Sequence, residues 1–184
     1  PEGSTIKATR EARTGAWSNI EEGASSTAIT RNYLRMSFEH GSNPTNADYR
    51  YVLLPGFSAT RVAQYSAQPQ IDVLANTSDI QAVSETTLGI TAANFWTDST
   101  RTAGIVTANR KCSVMVRQHG PFVDLSLSDP TQLNTGSISL GIATGGGVLV
   151  QADAGVTVTQ TSPTIALTVN VNGARGKTFK ARFY

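Results

Sequence analysis

Two histidines, one cysteine and thirteen carboxylates are the groups in this chain that could do acid–base, nucleophilic or metal chemistry. Nucleophilic catalysis needs a base within hydrogen-bond reach of the nucleophile, and that base is most often His. His40 and His119 each precede a Gly at the end of a strand-like pattern, where a hydrogen bond to a turn is the expected role. They lie far apart in sequence, and neither shares the spacing of a metal-binding pair. Cys112, in KCSVMV, alternates with apolar residues and reads as a small buried hydrophobe. Being the sole cysteine, it excludes an internal disulfide and a cysteine-ligated zinc site. Asp124 and Asp129 flank a strand end and could hold a cation, although Asp129 before Pro130 better suits a turn cap. Glu21 and Glu22 are adjacent on a polar stretch and read as solvated. Gly145-Gly146-Gly147 lacks the Lys and the following helix of a phosphate loop, so a hairpin turn is expected. Trp17, Trp96 and the five tyrosines could stack on sugar rings, but aromatic residues in strand patterns are expected in the core. These residues make no catalytic, cofactor-binding or metal-binding constellation, and none is assigned.

The elements that would carry them read as strands. The 184 residues include 24 Thr, 17 Ser, 16 Gly and 10 Asn, against 4 Lys, 11 Arg and 13 acidic residues. Thr and Val favour pleated surfaces and Gly, Asn and Ser favour turns, so an all-β chain is expected. With a net charge of +2 and scattered arginines, no nucleic-acid partner is expected. No run approaches the ~20 apolar residues of a membrane-spanning helix, so no membrane partner is expected either.

Ser4 to Arg13 alternates loosely. From Asn32 a two-residue period sets Leu34, Met36 and Phe38 on one face, and DYRYVLLP (48–55) reads as a second strand making a hairpin-like pair with it. Ser58 to Gln68 reads as a short helix, capped by Ser58 or Thr60 and stopped by Pro69. Strand patterns then follow at 71–75, 80–86, 88–96, 101–107, 112–118 and 122–128. Five more lie beyond Asp129-Pro130-Thr131, and the whole suggests a meander packed into a sandwich. The composition shifts at Pro69. We therefore expect residues 1–68 and 69–184 to be separate regions, the first too poor in strands to form its own sandwich. A start at Pro-Glu-Gly, without Met or a visible signal peptide, leads us to expect a processed chain or a piece of a longer one.

Six strings stand out as a set: GAWSNI (15–20), SFEHGSNPTNADYRYVLLPG (37–56), VLANTSDIQAV (73–83), TAANFW (91–96), VMV (114–116) and LSLSDPT (125–131). In order and spacing they resemble the C-terminal part of the polysaccharide lyases of family eight, which include hyaluronate, chondroitin AC and xanthan lyases. The resemblance implies that residues 1–68 are the last strands of a β super-sandwich plus a short helix. It implies that residues 69–184 are the small antiparallel two-sheet C-terminal β-sandwich.

It further implies a secreted, extracellular enzyme that cleaves uronic-acid-containing polysaccharide, of hyaluronan or chondroitin type, by β-elimination. In that family an Asn neutralises the uronate carboxylate, a Tyr or His removes the C5 proton, and an Arg assists. Those residues belong to an N-terminal helical domain that this chain does not include, so none is carried over, and His40 is given no catalytic role. The expected partners are that helical catalytic portion of the same polypeptide and the polysaccharide itself, and the chain alone is expected to be inactive. The alternative is a free-standing carbohydrate-binding or adhesive β-sandwich, which calls for a row of exposed aromatics on one face.

Overall fold

The computed structural model describes residues 5–184. Ser4, the first residue of the expected N-terminal strand, lies outside them. By its contacts the chain divides into two units, Pro1–Pro55 and Gly56–Tyr184, so the short helix falls in the second unit, whereas the sequence expectation set it with the first.

In the first unit, strands β1 (Thr5–Gly15) and β2 (Ile29–Glu39) form an antiparallel hairpin with an unbroken register from Thr5↔Glu39 to Gly15↔Ile29. Side chains alternate between the faces of a ladder, so opposed residues share a face. Ile6 thus joins Phe38, and Ala8 joins Met36, beside Leu34, while charged and hydroxyl side chains occupy the other face. The apolar face is largely uncovered within this unit: Leu34 and Met36 are 68% and 67% exposed, Phe38 is half-buried, and none of the unit's described side chains is buried.

The expected pairing of β2 with 48–55 is corrected. Residues 48–55 form no strand, and the partner of β2 is β1. Tyr49 and Tyr51 alternate as a strand would, yet they approach β2 through their rings. Tyr49 stacks on Phe38 at 5.6 Å and on Tyr51 at 6.3 Å.

The second unit opens with helix α1 (Ala59–Ala67). Ser58 caps it, its side chain accepting a hydrogen bond from the Arg61 amide at 3.3 Å, and the helix ends before Pro69. Twelve antiparallel strands follow. β3 (Ile71–Asn76), β4 (Ile80–Glu85) and β5 (Ile90–Phe95) form a meander, and β6 (Arg101–Ala103) and β7 (Val106–Ala108) a tight hairpin. Residues 101–107, expected as one strand, thus break at the turn through Gly104 and Ile105. The remaining strands are β8 (Cys112–His119), β9 (Phe122–Ser128), β10 (Ser137–Ile142), β11 (Leu149–Ala152), β12 (Val156–Gln160), β13 (Ile165–Asn170) and β14 (Phe179–Phe183).

They make a seven-stranded sheet, β11-β14-β9-β8-β5-β4-β3, and a five-stranded sheet, β12-β13-β10-β7-β6. The expected meander holds only for β3–β5. Beyond it the chain changes sheet six times, because two sheets that share one core can be joined by crossing at their ends. Gly145-Gly146-Gly147 is one such crossing, from β10 to β11, and not the hairpin turn expected of it. There the Gly147 amide donates to the Thr161 carbonyl at 2.8 Å.

Every second residue of the inner strands faces the other sheet. Cys112, Val114 and Val116, with Leu125, Leu127 and Phe183, meet Ile138, Leu140, Ile142, Ile165 and Leu167 in one core. Each such side chain taken from water contributes roughly 1.5–3 kcal/mol, which is what holds the sheets face to face. The expected all-β class is the observed one.

Candidate functional site

Because Val116, Leu125, Ala181 and Phe183 face the core, their neighbours Arg117, Asp124, Lys180 and Arg182 face outward from the seven-stranded sheet. The register sets Arg117 on β8 opposite Asp124 on β9, and Asp124 opposite Arg182 on β14, with Gln151 of β11 opposite Arg182. A second row parallel to it holds Met115, Ser126 and Lys180. These two rows line an open depression of about 450 Å³.

Asp124 is its electrostatic pivot. Its Oδ1 accepts from Arg182 Nε at 2.6 Å, and its Oδ2 accepts from Arg182 Nη2 at 2.9 Å. His119 Nε2 lies 2.8 Å from the same Oδ2. The bidentate Arg182 contact outweighs the desolvation that opposes it and, with His119, lowers the Asp124 pKa to about 2. His119 therefore binds a side-chain carboxylate and not the turn expected for it.

With Asp124 so occupied, Arg117 on its other side finds no ion-pair or hydrogen-bond partner among the described residues, nor does the Lys180 ammonium. Asp153, also on the rim, accepts the Lys180 backbone amide at 2.9 Å. Next to the lining residue Arg182, but outside the lining itself, stands an aromatic cluster. Phe122 meets His119 at 5.9 Å and Tyr184 edge-on at 5.7 Å, and the Arg182 guanidinium lies 5.4 Å from the Phe122 ring centre.

The other candidates from sequence are structural. Asp129 is buried, its carboxylate bonded within its own turn. Burial alone would raise its pKa. Donation from the Thr131 hydroxyl at 2.7 Å and amide at 3.0 Å, and from the Asn134 amide at 2.9 Å, outweighs burial and leaves the pKa below the ordinary aspartate value. Cys112 is buried, and burial, reinforced by the Asp129 charge, pushes its thiol up to about 12. Glu21 and Glu22 are exposed on their loop, and His40 lies half-buried after β2. Among the described residues no three His, Cys, Asp or Glu side chains could jointly hold a metal ion.

The expectation that the tryptophans and tyrosines are core is corrected: Trp17 and Trp96 are 58% and 41% exposed, and none of the five tyrosines is buried, whereas Phe95, Phe179 and Phe183 are core. Trp96 lies at the end of β5, where its indole N–H reaches out to the Gln81 side-chain oxygen.

Comparison with known proteins gives two consecutive matches within one family. Residues 1–66 match the super-sandwich domain of polysaccharide lyase family 8, and residues 72–138 match its C-terminal β-sandwich domain. A xanthan lyase from Bacillus sp. (strain GL1) is 50% identical over 186 positions, covering 100% of this chain and 20% of that protein. The hyaluronate lyase HylB of Enterococcus faecalis is 31% identical, covering 96% of this chain and 17% of that protein.

Among solved structures, a Paenibacillus xanthan lyase superposes with a TM-score of 0.87 at 44% identity, over 97% of this chain and 18% of that one. A Streptomyces coelicolor A3 chondroitin AC lyase, solved in complex with chondroitin sulphate, gives 0.83 at 34% identity, over 97% and 24%. The chain spans about a fifth of the length of the curated relatives it matches. It belongs to polysaccharide lyase family 8, as the end of the super-sandwich domain followed by the C-terminal β-sandwich domain.

Proposed function

We propose that this chain is the non-catalytic β-scaffold of a secreted lyase that cleaves uronic-acid-containing polysaccharide by β-elimination, its catalytic residues lying in an N-terminal helical portion of the same polypeptide. The observation that carries the reading is the pair of consecutive family matches on a chain a fifth as long as its relatives. The chain's own chemistry supports it. A general base must reach the proton it takes. Here His119 is committed to Asp124 and Cys112 is buried as a thiol.

The first unit supports it too, because a hairpin with Leu34 and Met36 exposed on its apolar face calls for further chain to cover them. We assign that role to the preceding part of the polypeptide. The scaffold would hold the β side of the substrate cleft and brace the helical portion. Its substrate is a polymer that cells meet outside the membrane, hence the extracellular location. The identity to a xanthan lyase makes xanthan the first polymer to assay, beside hyaluronan and chondroitin sulfate.

The test is to express residues 1–184 alone and together with the preceding portion of the gene product. Ultraviolet absorbance of the unsaturated uronate product is then followed on each polymer. The chain alone should be inert, and the reconstituted pair should turn over and elute as one complex. Steady turnover by residues 1–184 alone, or an inert pair that forms a stable complex, overturns the reading.

A further inference from the structure

We propose that the depression on the outer face of the seven-stranded sheet is a binding site for an acidic glycan segment, seated on Arg117 and Lys180. Its starting point is a charge imbalance built into the register. Arg117, Asp124 and Arg182 stand in one row across three adjacent strands, two cations to one carboxylate. Asp124 commits both oxygens to Arg182 and His119, so it cannot also hold Arg117 in a bidentate fork. Lys180, one residue pair along on β14, adds a second cation without a side-chain partner. Asp153 on the rim accepts the Lys180 backbone amide and makes no ion pair with the Lys180 ammonium.

The lining holds three cations, Arg117, Lys180 and Arg182, to two carboxylates, Asp124 and Asp153, and this net positive charge suits an anion. The concavity is too open and too long for a small ion. Arg117 and Arg182 are two strands apart, roughly 10 Å on the ordinary strand spacing, which is the scale of a disaccharide and not of a phosphate or sulfate. The other groups present are those that recognise sugars. Gln151 and Ser126 offer amide and hydroxyl groups along the rows. A site of this kind takes its orientation from a few such polar groups.

The choice of a uronate-bearing glycan over another extended anion rests on the lyase reading above. The site would hold a stretch of polymer on the C-terminal sandwich.

The 184-residue chain, labelled with nitrogen-15, is titrated with hyaluronan hexasaccharide, chondroitin 4-sulfate hexasaccharide, cellohexaose and sodium sulfate, following the arginine Nε–Hε resonances. The two acidic hexasaccharides should shift the Arg117 and Arg182 signals, with an affinity that falls as salt is raised. Cellohexaose and sulfate at equal concentration should not. Arg117→Ala combined with Lys180→Ala should lower the affinity about tenfold or more without moving the melting temperature, since both side chains are exposed and unpaired. Arg117→Gln serves if the double variant fails to fold.

Equal binding of cellohexaose, equal binding of sulfate alone, shifts confined to other arginines, or full affinity in the folded variants each overturns the site. The lyase reading fails separately, on the inert reconstituted pair, so the two outcomes are distinguishable.

Discussion

Asp124 and Arg182, 58 residues apart in sequence, are directly opposed across β9 and β14 and joined by two parallel hydrogen bonds of 2.6 and 2.9 Å. The pair ties the sheet's interior strands together on the solvent side, as Leu125 and Ala181 do on the core side.

That contact makes stability depend on acid. The folded-state pKa of Asp124 is about 2, below the ordinary 3.8, so its contribution is fully present above pH ~4 and is lost as the pH falls toward 2. Arg182 is 47% exposed, which limits the contribution to about 1 kcal/mol at neutral pH. Urea unfolding should find Asp124→Asn less stable by that amount at pH 6, with the gap closing between pH 4 and pH 2.5. A gap of the same size at pH 2.5 refutes the assignment.

Asp129 has a different role, because it is buried and its acceptors satisfy two backbone amides and a hydroxyl. Removing it strands those donors, so Asp129→Ala should cost about 2–4 kcal/mol, and Asp129→Asn, which keeps an acceptor, distinctly less. Thermal melts of the two variants check this. Equal losses would show that the side chain's volume matters and its hydrogen bonds do not.

The Cys112 thiol, pushed up to about 12, carries almost no thiolate at pH 8 and has no route to solvent. Iodoacetamide should leave the native chain unmodified over hours and label it at one site in urea, as read by intact mass. Rapid labelling under native conditions would mean that β8 opens readily.

Gly89 and Gly120 both adopt left-handed backbone, at φ +66° and +54°, and differ in their surroundings. A Cβ at Gly89 would lie 2.2 Å from the Gln118 carbonyl oxygen, whereas at Gly120 it meets nothing within 4 Å. Gly120→Ala should therefore cost only the left-handed strain, about 1 kcal/mol, and Gly89→Ala should cost more by ~2 kcal/mol or more. Comparable melting temperatures for the two variants would count against the close approach.

The individual elements were legible because each depends on residues close together in sequence. Ser58 and Pro69 bracket α1, and the alternation of Cys112, Val114 and Val116 marks β8. Pairing was less so. Tyr49 and Tyr51 alternate like a strand, but alternation names a face and not a partner, and residues 48–55 have no ladder among the described residues. The outer-face depression was invisible for the same reason. Arg117, Asp124 and Arg182 belong to β8, β9 and β14, and only the register between those strands brings them into a row. His119 and Asp124 lie five residues apart, and a two-residue hairpin turn is needed to make them neighbours.

The strand order also governs how the protein can be made. β14 lies between β9 and β11 in the seven-stranded sheet, so a strand later in the sequence than both fills an interior gap. While the ribosome is still adding residues, β9 and β11 have no common neighbour, and each offers a bare edge. The nascent sandwich therefore cannot close until Phe179–Phe183 has cleared the exit tunnel, and until then it depends on being shielded from other nascent chains.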